Sequence, residues 1–149
     1  MSVTISVSGV EKIDKILRGL PNQVNHLNMS KIHTLAAQPL VERAKLLAPL
    51  GETMNLTKSI GTVKEPFGRS DSLGVVRAGA RRGSFRGNHA HLLEYGTAVR
   101  RTKSGANRGI GPKKPFMEKA WLSTRKQVEN IIAFQVSKYI VNFIKQQNA

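Results

Sequence analysis

The sequence has no cysteine, which excludes disulfides, zinc ribbons and thiol catalysis. No apolar run approaches the roughly 20 residues that a bilayer-spanning helix needs. The first residues, "MSVTISVSGVEK", carry neither a basic segment nor a continuous apolar stretch, so no signal peptide is expected. A soluble protein made and kept in a cytoplasm is the expectation. Aromatic residues are scarce at 5%, which argues against a single-strand nucleic-acid platform, because such surfaces display stacking rings. Acids are scarcer still: 9 Asp and Glu stand against 24 Lys and Arg, for a net charge of +15. No two of those acids fall in a catalytic motif, and no nucleophile occupies a recognisable elbow. There is no GxGxxG and no Walker loop; "GANRGIGP" is glycine-rich but lacks the preceding strand and the GK[ST] of a phosphate cradle. Neither an enzyme, nor a cofactor, nor a small-molecule substrate is expected.

What is present suffices for a single domain over residues 1–149, with 40% hydrophobic residues to fill its core. "VTISVSG" alternates Val3, Ile5 and Val7 with Thr and Ser, the period of a half-buried strand. Ser8 and Glu11 form a capping box opening a short helix that Gly19 and Pro21 stop. A longer helical pattern follows through Val24, Leu27, Ile32, Leu35, Ala36, Leu40, Ala44, Leu47 and Ala48. Pro39 should interrupt it near Leu35, and Pro49 should end it. "SIGTVKEP" and "SLGVVRAG" read as short strands separated by the turn-rich "FGRSD". From residue 115 onward, Met117, Ala120, Trp121, Val128, Ile131, Ile132, Val136, Tyr139, Ile140, Phe143 and Ile144 recur at spacings of three and four. That stripe predicts a helix of roughly 30 residues. The expected fold is α+β, a small antiparallel sheet packed against a long C-terminal helix and N-terminal helices.

The charge is local. Residues 77–114 hold ten basic residues and one acid, Glu94, and so supply nine of the fifteen excess charges. Such a region favours an anionic partner, whether nucleic acid or an acidic protein face. Duplex phosphates need only dense positive charge and no aromatics. Residues 96–112 show no apolar periodicity, which is long for an ordinary loop. Fully extended, they reach at most roughly 55–60 Å. Their length and lack of apolar anchors predict a segment mobile in the free chain and ordered on assembly. His91 and Glu94 are spaced for one helical face, but with only His89 nearby the ligand set is too small for a metal site. Glu94 is expected to pair with an arginine of its own chain or of a neighbour. Tyr95 is expected to pack with its hydroxyl bonded, Gly96 to hold a positive φ, and Phe116 and Trp121 to anchor the long helix.

Three motifs occur in order: "AKLLAPLGETMNLTKSI" (44–60), "HAHLLEYGT" (89–97) and "PKKPFMEKAW" (112–121). Together the sequence resembles the head–tail joining, or tail-completion, proteins of tailed bacteriophages, the minor tail component of lambdoid-type phages. His89 stands where that family often has Tyr, and Thr53, Met54 and Asn55 are extra before Leu56. The resemblance implies a structural virion protein at the neck, assembled in the bacterial cytoplasm as a ring. Six copies are expected, with twelve the alternative, set between a neck or connector protein and the tail-tube protein. It also implies a subunit interface at Glu94, Tyr95, Gly96 and Phe116. Arg81, Arg82, Arg86, Arg100, Arg101, Lys103 and Arg108 would then face double-stranded DNA in the lumen or a protein partner. The reading from another class is a small basic nucleic-acid-binding protein.

Overall fold

Pro39 divides the first long helical pattern in two. Helix α1 spans His26–Ala36 and helix α2 spans Gln38–Leu47, with Ala37 between them. Pro39 lies in the first turn of α2, where a helix has no internal acceptor for a backbone N–H, so the ring suits the start of a helix and not its middle. The break therefore falls at Ala37, slightly beyond the expected position near Leu35. Ala48 then takes extended backbone (ψ 133°) ahead of Pro49 and ends α2. The computed structural model describes residues 26–65 and 74–147. The expected strand at 3–7, the helix opened by Ser8 and Glu11, Val24 and the turn "FGRSD" lie outside the described residues.

The end of the first motif, "LTKSI" (56–60), is one helical turn feeding a strand. Helix α3 is Asn55–Ser59 and strand β1 is Ile60–Lys64. Strand β2, Val76–Ala80, pairs antiparallel with β1, placing Ile60 opposite Ala80 and Lys64 opposite Val76. The ladder continues at both ends through Arg81 N–H to Ser59 O and Glu65 N–H to Val75 O, each 3.0 Å. Inward and outward groups alternate along an antiparallel strand. The bonded pairs at Arg81 and Val75 therefore turn the backbone groups of Val76, Ala78 and Ala80 away from β1. Among the described residues no further strand joins this edge.

A short 3-10 turn at Gly83–Phe85, helix α4 at Ala90–Tyr95 and helix α5 at Phe116–Gln147 complete the described chain. The stripe expected on α5 faces inward: Ala120, Val128 and Phe143 are buried, with Met117, Ile131, Ile132, Val136 and Ile140 half-buried. Ala44 of α2 and Ala48 just past its end share one core cluster with Leu56, Ile60, Phe116 and Ala120. Alanine at these positions lets α2 and α5 approach closely. The architecture is α+β, a two-stranded antiparallel sheet packed with the long C-terminal helix and the helices before it. No helix of the described residues is long and apolar enough to cross a membrane.

Candidate functional site

The three motifs meet at the start of α5. A helix leaves its first backbone N–H groups without internal acceptors, and the residues just before α5, Lys114 and Pro115, offer no side-chain acceptor. Glu94 supplies one from α4. Its Oε2 accepts from Phe116 N–H and Met117 N–H at 3.0 Å, and its Oε1 accepts from Glu118 N–H at 2.9 Å. Glu94 is only 8% exposed, and its carboxylate sits where the helix dipole favours negative charge. The expected ion pair with an arginine is thus replaced by a cap, because the helix end offers three donors to one buried carboxylate. Both oxygens are engaged, and no group of three metal-ligating side chains occurs among the described residues.

The segment between Glu94 and Phe116 is tied at its base. Gly96 takes φ +75° and ψ −174°, a conformation that is essentially glycine's alone. A Cβ there would lie 2.9 Å from Gly111 O. Thr97 N–H donates to Gly111 O at 3.0 Å, Gly111 N–H to Thr97 Oγ1 at 2.7 Å, and Lys114 N–H to Leu93 O at 2.7 Å. Beyond this clasp the chain is not the structureless loop expected from its missing periodicity. It doubles back as a hairpin: Arg108 N–H bonds Arg100 O, Thr102 N–H bonds Ala106 O, and Arg101 bridges Asn107. The tip is a three-residue loop, Lys103 to Gly105, closed by Gly105 N–H to Thr102 O with Gly105 at φ +85°, a common hairpin geometry. Thr102 Oγ1 also accepts from Ala106 N–H, and Asn107 Oδ1 from Gly109 N–H. Polar turn chemistry, not apolar burial, specifies this element.

The expected site residues divide into two groups. Phe116 is 2% exposed and belongs to the core with Glu94 beside it, so neither offers surface to a neighbour. Tyr95, expected to be packed, is 76% exposed, and Trp121, expected as an anchor, is 41% exposed. Short α4 presents successive side chains to different sides, so turning Glu94 inward turns Tyr95 outward. Arg81 leaves the basic surface set. Its Nε donates to Ser59 O at 3.1 Å, its guanidinium caps the end of α3, and it lies 3.8 Å from the centroid of the Phe85 ring. Arg82, Arg86, Arg100, Arg101, Lys103 and Arg108 are exposed. Among the described residues, the ion pairs are Arg77–Glu65, Lys113–Glu118 and Arg125–Glu129, none of which involves those six.

Ser59, within the first motif, and Gly87, outside all three, have structural roles that the sequence pattern does not display. Ser59 is fully buried and donates its hydroxyl to Leu56 O at 2.6 Å. Gly87 is packed so that a Cβ would collide with Arg81 O and the Ser59 side chain. Beside this junction lies a groove of about 680 Å³, bordered by β2, Tyr95, Met117 and Trp121 and lined also by Arg82, Lys113 and Glu118. Ala78, Gly79 and Ala80 all line it although they are consecutive. Ala78 and Ala80 share one face of β2 and Gly79 between them has no side chain, so this stretch of β2 borders the groove without filling it. Comparison of the chain with family models, with curated proteins and with solved structures found no match.

Proposed function

We propose that this chain is a structural subunit of a tailed-phage particle, a head–tail joining or tail-completion protein that acts in a closed ring at the neck. The observation that carries the reading is the groove edged by β2. Among the described residues the far edge of β2 pairs with no other strand, and such an edge is a template for another chain. The groove beside β2 carries exposed Tyr95 and Trp121, the kind of aromatic residues that assembly surfaces favour. A ring needs heterologous contacts, one patch meeting a different patch next door, and this edge is a suitable half of such a contact. The three motifs of the resemblance support the same reading, because they converge: the helix end at Ala48, the step at Leu56–Ile60, Glu94 and Phe116 form one packed junction. Subunit contact then moves from the buried pair Glu94 and Phe116 to Tyr95 and the rim around it. The partners are other copies of the chain, a connector protein and a tail-tube protein, and the location is the virion neck.

The exposed basic hairpin favours a second reading, a small nucleic-acid-binding protein acting alone. Light scattering on nuclease-treated protein at high salt separates the two. A discrete ring, six copies expected and twelve the alternative, supports the neck reading. A monomer at every concentration, with tight binding to nucleic acid, overturns it.

A further inference from the structure

The hairpin places two cations where folding alone gives no reason to put them. Arg108 N–H bonds Arg100 O at 2.7 Å while Arg100 N–H bonds Gly109 O at 3.0 Å. Arg108 and Gly109 together thus oppose Arg100, the pattern of a β-bulge, which re-aims side chains. The two arginines lie across the hairpin from one another, joined by the Arg108 N–H to Arg100 O bond. Like charges so placed repel and destabilise a hairpin. No carboxylate of a described residue pairs with either. Arg101 and Lys103 follow toward the tip, and the chain from Tyr95 to Met117 contains no acid at all. A hydrogen-bonded arm that gathers its own unpaired cations is suited to an anion with closely repeated charges.

We propose that the Arg100–Arg108 face of the hairpin binds neighbouring phosphates of a double-stranded nucleic-acid backbone. Duplex DNA carries one negative charge per about 1.7 Å of axis, so adjacent phosphates can neutralise both guanidiniums at once. Arginine suits this role, since its planar fork bonds phosphate oxygens in pairs. No aromatic residue lies between Tyr95 and Phe116, so the arm offers no stacking platform for single strands. Base sequence would go unread, because contacts of this kind position a protein on the duplex without specifying it. The site requires no ring: one copy carries the whole hairpin.

The test is binding of a labelled mixed-sequence duplex to the full chain, followed by fluorescence anisotropy over a salt series. Each phosphate contact contributes about 0.9 to the slope of log affinity against log salt. The double variant Arg100→Ser, Arg108→Ser should therefore have a slope about 1.8 shallower than the wild type. Equivalently, between about 50 and 200 mM salt the wild type should lose about twelvefold more affinity than the variant. The pair Arg100→Lys, Arg108→Lys should keep the slope, and the pair Lys126→Ser, Lys138→Ser on α5 should leave it unchanged. Circular dichroism checks folding, and Arg100→Gln with Arg108→Gln gives a second neutral pair if the serine variant unfolds. The proposal is overturned if the neutral pair leaves the slope unchanged, if the α5 pair lowers it equally, or if the wild type does not bind the duplex. It is also overturned if polyglutamate at equal charge displaces the duplex, which would assign the arm to an acidic protein face. Displacement by millimolar inorganic phosphate would likewise overturn it, in favour of a small-anion site. Light scattering on the same samples reads assembly separately, so failure of the ring reading and failure of this one are distinguishable.

Discussion

Replacing Glu94 by alanine removes the acceptor for three backbone N–H groups at once. Loss of a helix cap costs up to about 2 kcal/mol. Loss of a partly buried charge at the positive end of a helix dipole adds about 1–2 kcal/mol. Together these give about 3–4 kcal/mol, well below the sum of three separate charged hydrogen bonds because one carboxylate serves all three donors. That is a large share of the roughly 5–15 kcal/mol that holds a domain folded. At about 3 °C per kcal/mol for a chain of this size, the thermal midpoint should fall by about 10 °C. Glu94→Gln keeps the volume and one acceptor oxygen but loses the charge, and should cost about half as much. Thermal and urea unfolding measure both, and hydrogen exchange gives the location: the amides of Phe116, Met117 and Glu118 should exchange faster in either variant. Because the carboxylate is buried, the loss should persist at high salt, which screens exposed pairs far more than buried ones. A cost below about 1 kcal/mol, or a loss that vanishes in salt, would refute the cap and restore the ion pair with an arginine.

Gly87→Ala should cost about 2 kcal/mol or more in urea unfolding, because the new Cβ meets Arg81 O and a fully buried Ser59 that cannot yield. Gly96→Ala should cost about 3 kcal/mol by the same assay, through its positive φ and the approach of Gly111 O; a neutral result would mean that α4 ends differently. Arg81→Ala should lose about 1–2 kcal/mol and Arg81→Lys should not restore it, since the fork bonds Ser59 O while stacked on Phe85. Exposed Arg82→Ala should stay within about 0.5 kcal/mol. In the free chain, the amides of Arg100, Thr102 and Arg108, which bond backbone carbonyls, should exchange more slowly than those of Ala98 and Val99. Equal, fast exchange throughout 97–111 would restore the mobile loop.

The elements whose signal is apolar periodicity were legible in the sequence. The stripe from Met117 to Ile144 places α5 almost to its ends, and Pro39 and Pro49 mark breaks that backbone chemistry enforces wherever the chain goes. The positive φ of Gly96 was readable for the same local reason. The hairpin was missed because its strands carry Arg, Thr and Asn where a half-buried strand would alternate apolar residues. Its signal lay in the turn: "TKSGA" offers a three-residue loop with Gly in the left-handed position. The Glu94 cap left a trace as well. The start of α5 reads "KKPFME", with no Ser, Thr, Asp or Asn at its cap, and Glu94 is the one acid in the preceding forty residues or so that could substitute. Which of Glu94 and Tyr95 turns inward could not be read, because α4 is too short for periodicity to choose a face. Arg81 was indistinguishable in type from Arg82; only its place after the last β2 residue, opposite Ser59, sets it against the end of α3.

The most direct test of the central claim is where the protein sits in a particle. On the proposed reading, a tagged copy of this chain, supplied while the corresponding phage grows, can be located by antibody labelling in electron micrographs of purified virions. The account predicts label at the junction of head and tail, in a fixed number of copies per particle. Purified particles without label, with the tagged protein left in the lysate, would contradict it.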